Sequence, residues 1–85
     1  MTFEHTERFK RDFQSLPESI QQRAEKQLER FLENPRHPSL GIKKMHGFAE
    51  IWEGRITQSH RFTFQIREDI CTLRRIGPHG ILARP

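Results

Sequence analysis

Apolar and polar residues alternate strictly from Arg61 to Arg67, with Phe62, Phe64 and Ile66 on one side and Arg61, Thr63, Gln65 and Arg67 on the other. A period of two marks a β-strand with one buried face. The preceding stretch repeats the pattern, placing Trp52, Gly54 and Ile56 on one side and Glu53 and Arg55 on the other. The polar three-residue loop Thr57–Ser59 joins the two runs into a hairpin and sets Arg55 directly across from Arg61 on the shared polar face. Like charges facing each other are unfavourable, so two arginines in register with a carboxylate beside them point to an anionic ligand.

Upstream the spacing changes to that of a helix. Thr2 to His5 reads as a short opening strand, and Thr6 followed by Glu7 supplies a capping hydroxyl and an acidic first turn. Phe9, Phe13 and Leu16 then recur on one face. The turn Ser15-Leu16-Pro17-Glu18 starts a second helix, proline being tolerated in a first turn. Ile20, Ala24, Leu28, Phe31 and Leu32 line its apolar face, and Asn34-Pro35 ends it. The two helices are expected to form an antiparallel hairpin.

Asn34 to Leu40 carries two prolines that favour extended neighbours, and it reads as a surface crossing with His37 as a solvated loop histidine. Gly41 to Gly47 brings Lys43, Lys44 and His46 to the entrance of the hairpin. After a turn at Glu68-Asp69, Ile70 to Ile76 form a last strand, and Gly77-Pro78 make a sharp exit that presents His79 at the end of the sheet. The expected class is α+β: a short N-terminal strand, a helical hairpin, then a three-stranded antiparallel meander with the helices on one face.

Composition narrows the function. Eighty-five residues form one domain, residues 1–85, with no repeats or linkers. Fifteen Lys and Arg against eleven Asp and Glu leave a net charge of +4, which favours polyanionic partners. The single cysteine, Cys71, excludes an internal disulfide and a thiolate zinc site, and its apolar surroundings assign it to the core. The first residues have neither the basic nor the apolar segment of a signal peptide, so the cytoplasm is the expected compartment, with no membrane partner.

These residues resemble a known family. Lys43-Lys44-Met45-His46-Gly47, Trp52-Glu53-Gly54-Arg55-Ile56-Thr57, His60-Arg61-Phe62-Thr63-Phe64 and Arg75-Ile76-Gly77-Pro78-His79, in this order of elements, resemble the RelE/ParE superfamily of bacterial toxin-antitoxin toxins across nearly the whole chain. The hairpin Arg55 to Arg61 is similar to the YoeB branch, and the tail Gly77 to Leu82 is closer to the YafQ branch. The resemblance implies a RelE-like fold and an endoribonuclease that cleaves mRNA in the ribosomal A site without metal or cofactor. It also implies a protein antitoxin as partner, the ribosome and mRNA as targets, and operator DNA reached only through the antitoxin. Arg61 falls where the family places its phosphate-binding arginine, Arg55 at a basic position beside it, and His79 where several branches place a catalytic histidine. Glu53 has no secure family counterpart.

On this reading Arg55 and Arg61 stabilise negative charge at phosphorus, because planar guanidinium forks match phosphate oxygens. His79 is the general acid. Glu53 acts as base or orients an arginine, a role that rests on strand geometry alone. Lys43, Lys44, His46, Arg74 and Arg75 are expected RNA-backbone contacts, and His60 either packs the turn or serves in base stacking or proton transfer. Trp52 is read as core. The chain has no tyrosine, whereas several ribonuclease members stack one on the mRNA base near the C-terminus; stacking falls to His60, His79 or ribosomal RNA. Two other functions fit the same resemblance: a ParE-like toxin that binds DNA gyrase without chemistry, and a regulatory member that only binds antitoxin.

Overall fold

The computed structural model describes residues 1–85. Strand β1 (Thr2–His5) is followed by helices α1 (Glu7–Gln14) and α2 (Glu18–Glu33), then strands β2 (Lys43–Lys44), β3 (Trp52–Arg55), β4 (His60–Arg67) and β5 (Ile70–Pro78). Short 3-10 helices occupy Pro38–Leu40 and His79–Ala83. The α+β class, the opening strand, the helical pair and the β3-β4-β5 meander match expectation. The sheet is wider than expected, with five strands in the order β1-β5-β4-β3-β2. β2 joins β3 antiparallel, and β1 lies parallel to β5, Thr2 opposite Ile70 and His5 opposite Leu73. Neither addition leaves a local signal: β2 has two lysines and no apolar side, and β1 finds its partner at the far end of the chain.

Thr6 links the first helix to the sheet. Its Oγ1 accepts from the Phe9 amide at 3.0 Å and donates to the Arg74 carbonyl at 2.9 Å. Farther along, Asp12 Oδ2 accepts from the Ile76 amide at 3.2 Å. Where β1 stops, the outer side of β5 is therefore satisfied by a helix cap and a helical side chain instead of standing open.

Phe31 on α2 is the centre of the core. Its ring lies 5.9 Å from Phe3, 5.6 Å from Phe62 and 4.9 Å from Phe64, all within aromatic contact range. Phe9, Leu16, Ala24, Leu40, Ile56, Cys71, Leu73 and Ile76 complete the buried cluster, with Trp52 packed against it. Two residues assigned to apolar faces stay exposed. Leu32 is 46% exposed, because one residue beyond Phe31 is a rotation of about 100° around the helix. Ile66 is 45% exposed; alternation fixes the side of a strand but not whether anything covers it. Gly54 has a definite steric role, since a Cβ there would sit 2.4 Å from the ring of its cross-strand partner Phe62 and 2.8 Å from Ile42.

The polar side of the sheet is partly roofed. β4 and β5 pair with a register shift, Thr63 opposite Arg75 but Phe64 opposite Leu73, which leaves Arg74 as the extra residue of a bulge. The C-terminal segment then turns back across this side. Ile81 lies over Gly77, where a Cβ would come within 3.0 Å of its Cγ2, and Thr63 Oγ1 donates to the Pro85 carbonyl at 3.5 Å. Thr63 is fully buried beneath it, and its cross-strand neighbour Glu53 is buried as well. No helix is long and apolar enough to cross a membrane.

Candidate functional site

The hairpin turn is built from its own side chains. Thr57 Oγ1 accepts from the amides of Ser59 and His60 at 3.2 and 3.1 Å and lies 3.0 Å from His60 Nδ1. Arg61 Nη1 is directed at three carbonyls of the turn, Thr57 at 2.7 Å, Gln58 at 3.1 Å and His60 at 3.0 Å. Carbonyls fix a guanidinium without neutralising it, so Arg61 keeps its charge in a defined position. Across the ladder Arg55 is its direct partner, as the loop length predicts. The Arg55 guanidinium passes about 3.8 Å from where a Gly41 side chain would begin, and Gly41 adopts a φ of +53° that suits glycine.

Helix α2 supplies the facing wall. Gln27 occupies a buried position among its apolar residues, yet its Nε2 donates to the Arg55 carbonyl at 2.8 Å and to the Ser39 carbonyl at 3.4 Å. Its Oε1 accepts from Arg30 Nη1 at 2.9 Å, and the same nitrogen donates to Ser39 Oγ at 3.2 Å. His37 is correspondingly ordered rather than merely solvated: its Nδ1 accepts from the Ser39 amide at 3.1 Å and lies 2.8 Å from Ser39 Oγ. One amide side chain thus ties the helix, the crossing loop and the end of β3 together.

Between these walls is a cavity of about 860 Å³. Arg23, Lys26 and Arg30 of α2 line it with Arg55 and Arg61, five cationic side chains and no carboxylate. None of the five forms an ion pair. Such an arrangement raises the local anion concentration and matches phosphate through planar forks. Positions 23, 26 and 30 follow helical spacing on one face. That spacing is the signal that sequence reading passes over, because a row of basic residues on a helix is ordinarily a solvated face.

The expected site residues divide. Arg55 and Arg61 share the cavity. His79 stands beside the turn, its amide donating to the Ser59 carbonyl at 3.1 Å, but its exposed side chain is not part of the cavity wall. Glu53 is not on an open face: it is 7% exposed, and its carboxylate lies 4.0 Å from Nζ of its cross-strand neighbour Lys43. Lys43, Lys44 and His46 are exposed on and beyond the edge strand, away from the cavity wall. His60 packs the turn through Thr57.

Arg74 and Arg75 are tied down instead of free for backbone contacts. Arg75 Nε and Nη2 make a two-pronged pair with Asp12 at 2.8 and 3.1 Å, and its Nη1 donates to the Arg84 carbonyl at 3.2 Å. The Asp12 hydrogen bond raises the Arg75 pKa above its ordinary value, with burial opposing and the Asp12 charge adding to it. Arg74 donates to the Pro85 carbonyl at 3.1 Å and to Gln65 Oε1 at 3.0 Å. Cys71 is fully buried, and desolvation pushes its thiol up to about 12.

No family model matches the chain, and no curated protein sequence does. Solved structures do match. The YoeB/ParE toxin from Agrobacterium tumefaciens aligns with a TM-score of 0.77 at 18% identity, covering 93% of this chain and 99% of that one. The RelB-RelE antitoxin-toxin complex from Methanococcus jannaschii gives 0.74 at 19% identity over 98% and 95% of the two chains. YafQ from E. coli gives 0.69 at 15% identity, covering 94% of each. The chain has the fold of the RelE/ParE toxin superfamily.

Proposed function

We propose that the protein is the toxin of a type II toxin-antitoxin pair and acts as a metal-independent, ribosome-dependent mRNA endoribonuclease. The observation that carries this reading is the carboxylate-free cavity with Arg55 and Arg61 in register on one wall and Arg23, Lys26 and Arg30 on the other. Cleavage joins the ribose 2′-oxygen to the adjacent phosphorus and breaks the bond to the 5′-oxygen. Arg55 and Arg61 hold the non-bridging oxygens as charge accumulates on five-coordinate phosphorus, and their field eases loss of the 2′-proton to water. His79, at the adjoining edge, returns a proton to the departing 5′-oxygen. Glu53, buried against Lys43, holds the sheet and takes no part in proton transfer. The solved complexes of RelE with RelB support a protein antitoxin as the partner.

The test is a translation extract programmed with a defined mRNA. The expected products carry a cyclic phosphate on one side of the cut and a free 5′-hydroxyl on the other. Arg55→Gln is expected to lower the cleavage rate by about 10²–10³, the usual cost of one lost charge-stabilising donor. Intact mRNA in the extract, together with inhibition of DNA gyrase by the same preparation, would replace this reading with the gyrase-binding one.

A further inference from the structure

A second hollow of about 430 Å³ lies away from the cationic cavity, between the start of α1, the loop before β3 and the C-terminal segment. Arg8, Arg74, Arg75 and Arg84 line it together with Phe48 and Ile51. Its volume falls in the range of small-molecule sites, roughly 300–1,000 Å³. Side-chain charge is unbalanced there, and Pro85, whose main-chain oxygen binds Arg74, also lines the hollow. Asp12 is the single side-chain carboxylate paired with any of the four guanidinium groups; it is committed to Arg75 and reaches Arg8 only at 3.8 Å. The Arg84 side chain has no hydrogen-bond or ion-pair partner.

Phe48 makes the hollow more than an anion site. It is 36% exposed at the tip of a loop that is nevertheless well closed: the Met45 amide donates to the Ile51 carbonyl at 2.9 Å, Ile51 is buried, and Glu50 pairs with Arg67 at 3.3 Å. An exposed aromatic ring on an anchored loop, in one hollow with buried Ile51, the unpaired Arg84 and the loosely paired Arg8, matches a planar ring system that carries an anion. A nucleotide has that form. Aromatic rings stack on nucleobases, and guanidinium forks match phosphate oxygens.

We propose that this hollow is a nucleotide subsite, with Phe48 as the stacking platform and Arg8 and Arg84 as the phosphate-binding pair. Arg74 and Arg75, held by Gln65, Pro85 and Asp12, shape its floor. The subsite stands on this hollow alone and does not require that the chain cleave RNA.

Titration of the isotope-labelled full chain with AMP, adenosine and inorganic phosphate, followed through backbone amide shifts, tests it residue by residue. AMP is expected to move the signals of Phe48, Ile51 and Arg84 at lower concentration than either fragment does. Phe48→Ala is expected to weaken AMP binding at those signals at least about five-fold while leaving phosphate binding unchanged. Arg84→Gln is expected to weaken both. Both side chains are solvent-exposed, and unchanged shifts elsewhere verify that the fold is retained. AMP shifts confined to residues around Arg55 and Arg61, or equal affinity in Phe48→Ala, would overturn the subsite; occupation by an acidic peptide in preference to AMP would do the same. Loss of cleavage in Arg55→Gln with AMP shifts at Phe48 intact separates this subsite from the cationic cavity.

Discussion

Gln27 on α2 and Arg55 at the end of β3 are joined by a hydrogen bond of 2.8 Å between an amide side chain and a main-chain carbonyl 28 positions away. The same Gln27 accepts from Arg30, so it sets both walls of the cationic cavity at once. Gln27→Leu fills the volume but leaves the Arg55 carbonyl without this donor and Arg30 without its orienting acceptor. Urea unfolding is expected to show a loss of about 1–3 kcal/mol, the cost of stranding buried polar groups. RNA binding is expected to fall with it, whereas Gln27→Glu should retain the Arg30 contact and lose the donor to Arg55.

The three cations of α2 should reveal themselves through salt. Each phosphate contact to single-stranded nucleic acid contributes about 0.7 to the slope of log K against log salt. Arg23→Gln and Lys26→Gln are each expected to lower that slope by about 0.7 without a change in thermal stability, since neither makes an ion pair. Fluorescence anisotropy with a short RNA at several salt concentrations measures it. An unchanged slope in both variants would remove α2 from the binding surface.

Asp12 is bound on two sides, by the Arg75 fork and by the Ile76 amide. Asp12→Ala leaves a largely buried guanidinium unpaired and the edge of β5 unsatisfied, and a loss of about 3–5 kcal/mol is expected in chemical denaturation. For a domain of this size that is a large part of the total stability. The double change Asp12→Leu with Arg75→Met should recover part of it, because two apolar groups replace a pair instead of orphaning one member.

Cys71 gives the protein an alkaline liability. Its thiol stays protonated up to about 12 in the folded chain, against an ordinary value of 9.0. Above that lower value the unfolded chain gives up the proton first. Stability from this group is therefore whole below pH 9 and falls as pH rises towards 12, by at most about 1.4 kcal/mol per pH unit. Cys71→Ala is expected to flatten this decline in denaturation curves between those limits. In the native wild-type protein the thiol should react with alkylating reagents only as fast as the chain opens.

Gly54 sits where no side chain fits. Because Phe62 ring atoms lie 2.4 Å from the point a Cβ would occupy, Gly54→Ala must displace a fully buried ring. A loss of about 1–3 kcal/mol is expected, the usual cost of overpacking. Phe62→Leu in the same chain should relieve part of it, measured by thermal unfolding of both variants.

What sequence reading recovers here depends on range. The Arg55–Arg61 register follows from alternation and a three-residue loop, both local, and the α1 cap follows from Thr6. The partners of Arg75 and Glu53 are set by tertiary packing, Asp12 lying 63 positions from Arg75, and alternation alone leaves both on an open face. The α2 wall is hidden for a different reason. Arg23, Lys26 and Arg30 have the pattern of any solvated helix surface, and only the folding of the hairpin turn against them makes that surface concave. Gln27 carries no sequence signal of its own, because its partners Arg55 and Ser39 lie in other elements, yet it joins the two walls.

The first strand closes the sheet on the last, Thr2 meeting Ile70 and His5 meeting Leu73. During synthesis the amino-terminal strand and both helices therefore emerge well before the ribbon they need, with Phe31 waiting for Phe62 and Phe64. Contacts this distant in the chain form late, after loop closure has brought the ends together. The sheet is accordingly completed only when β5 is present to pair with both β1 and β4, the step that joins the most distant parts of the chain.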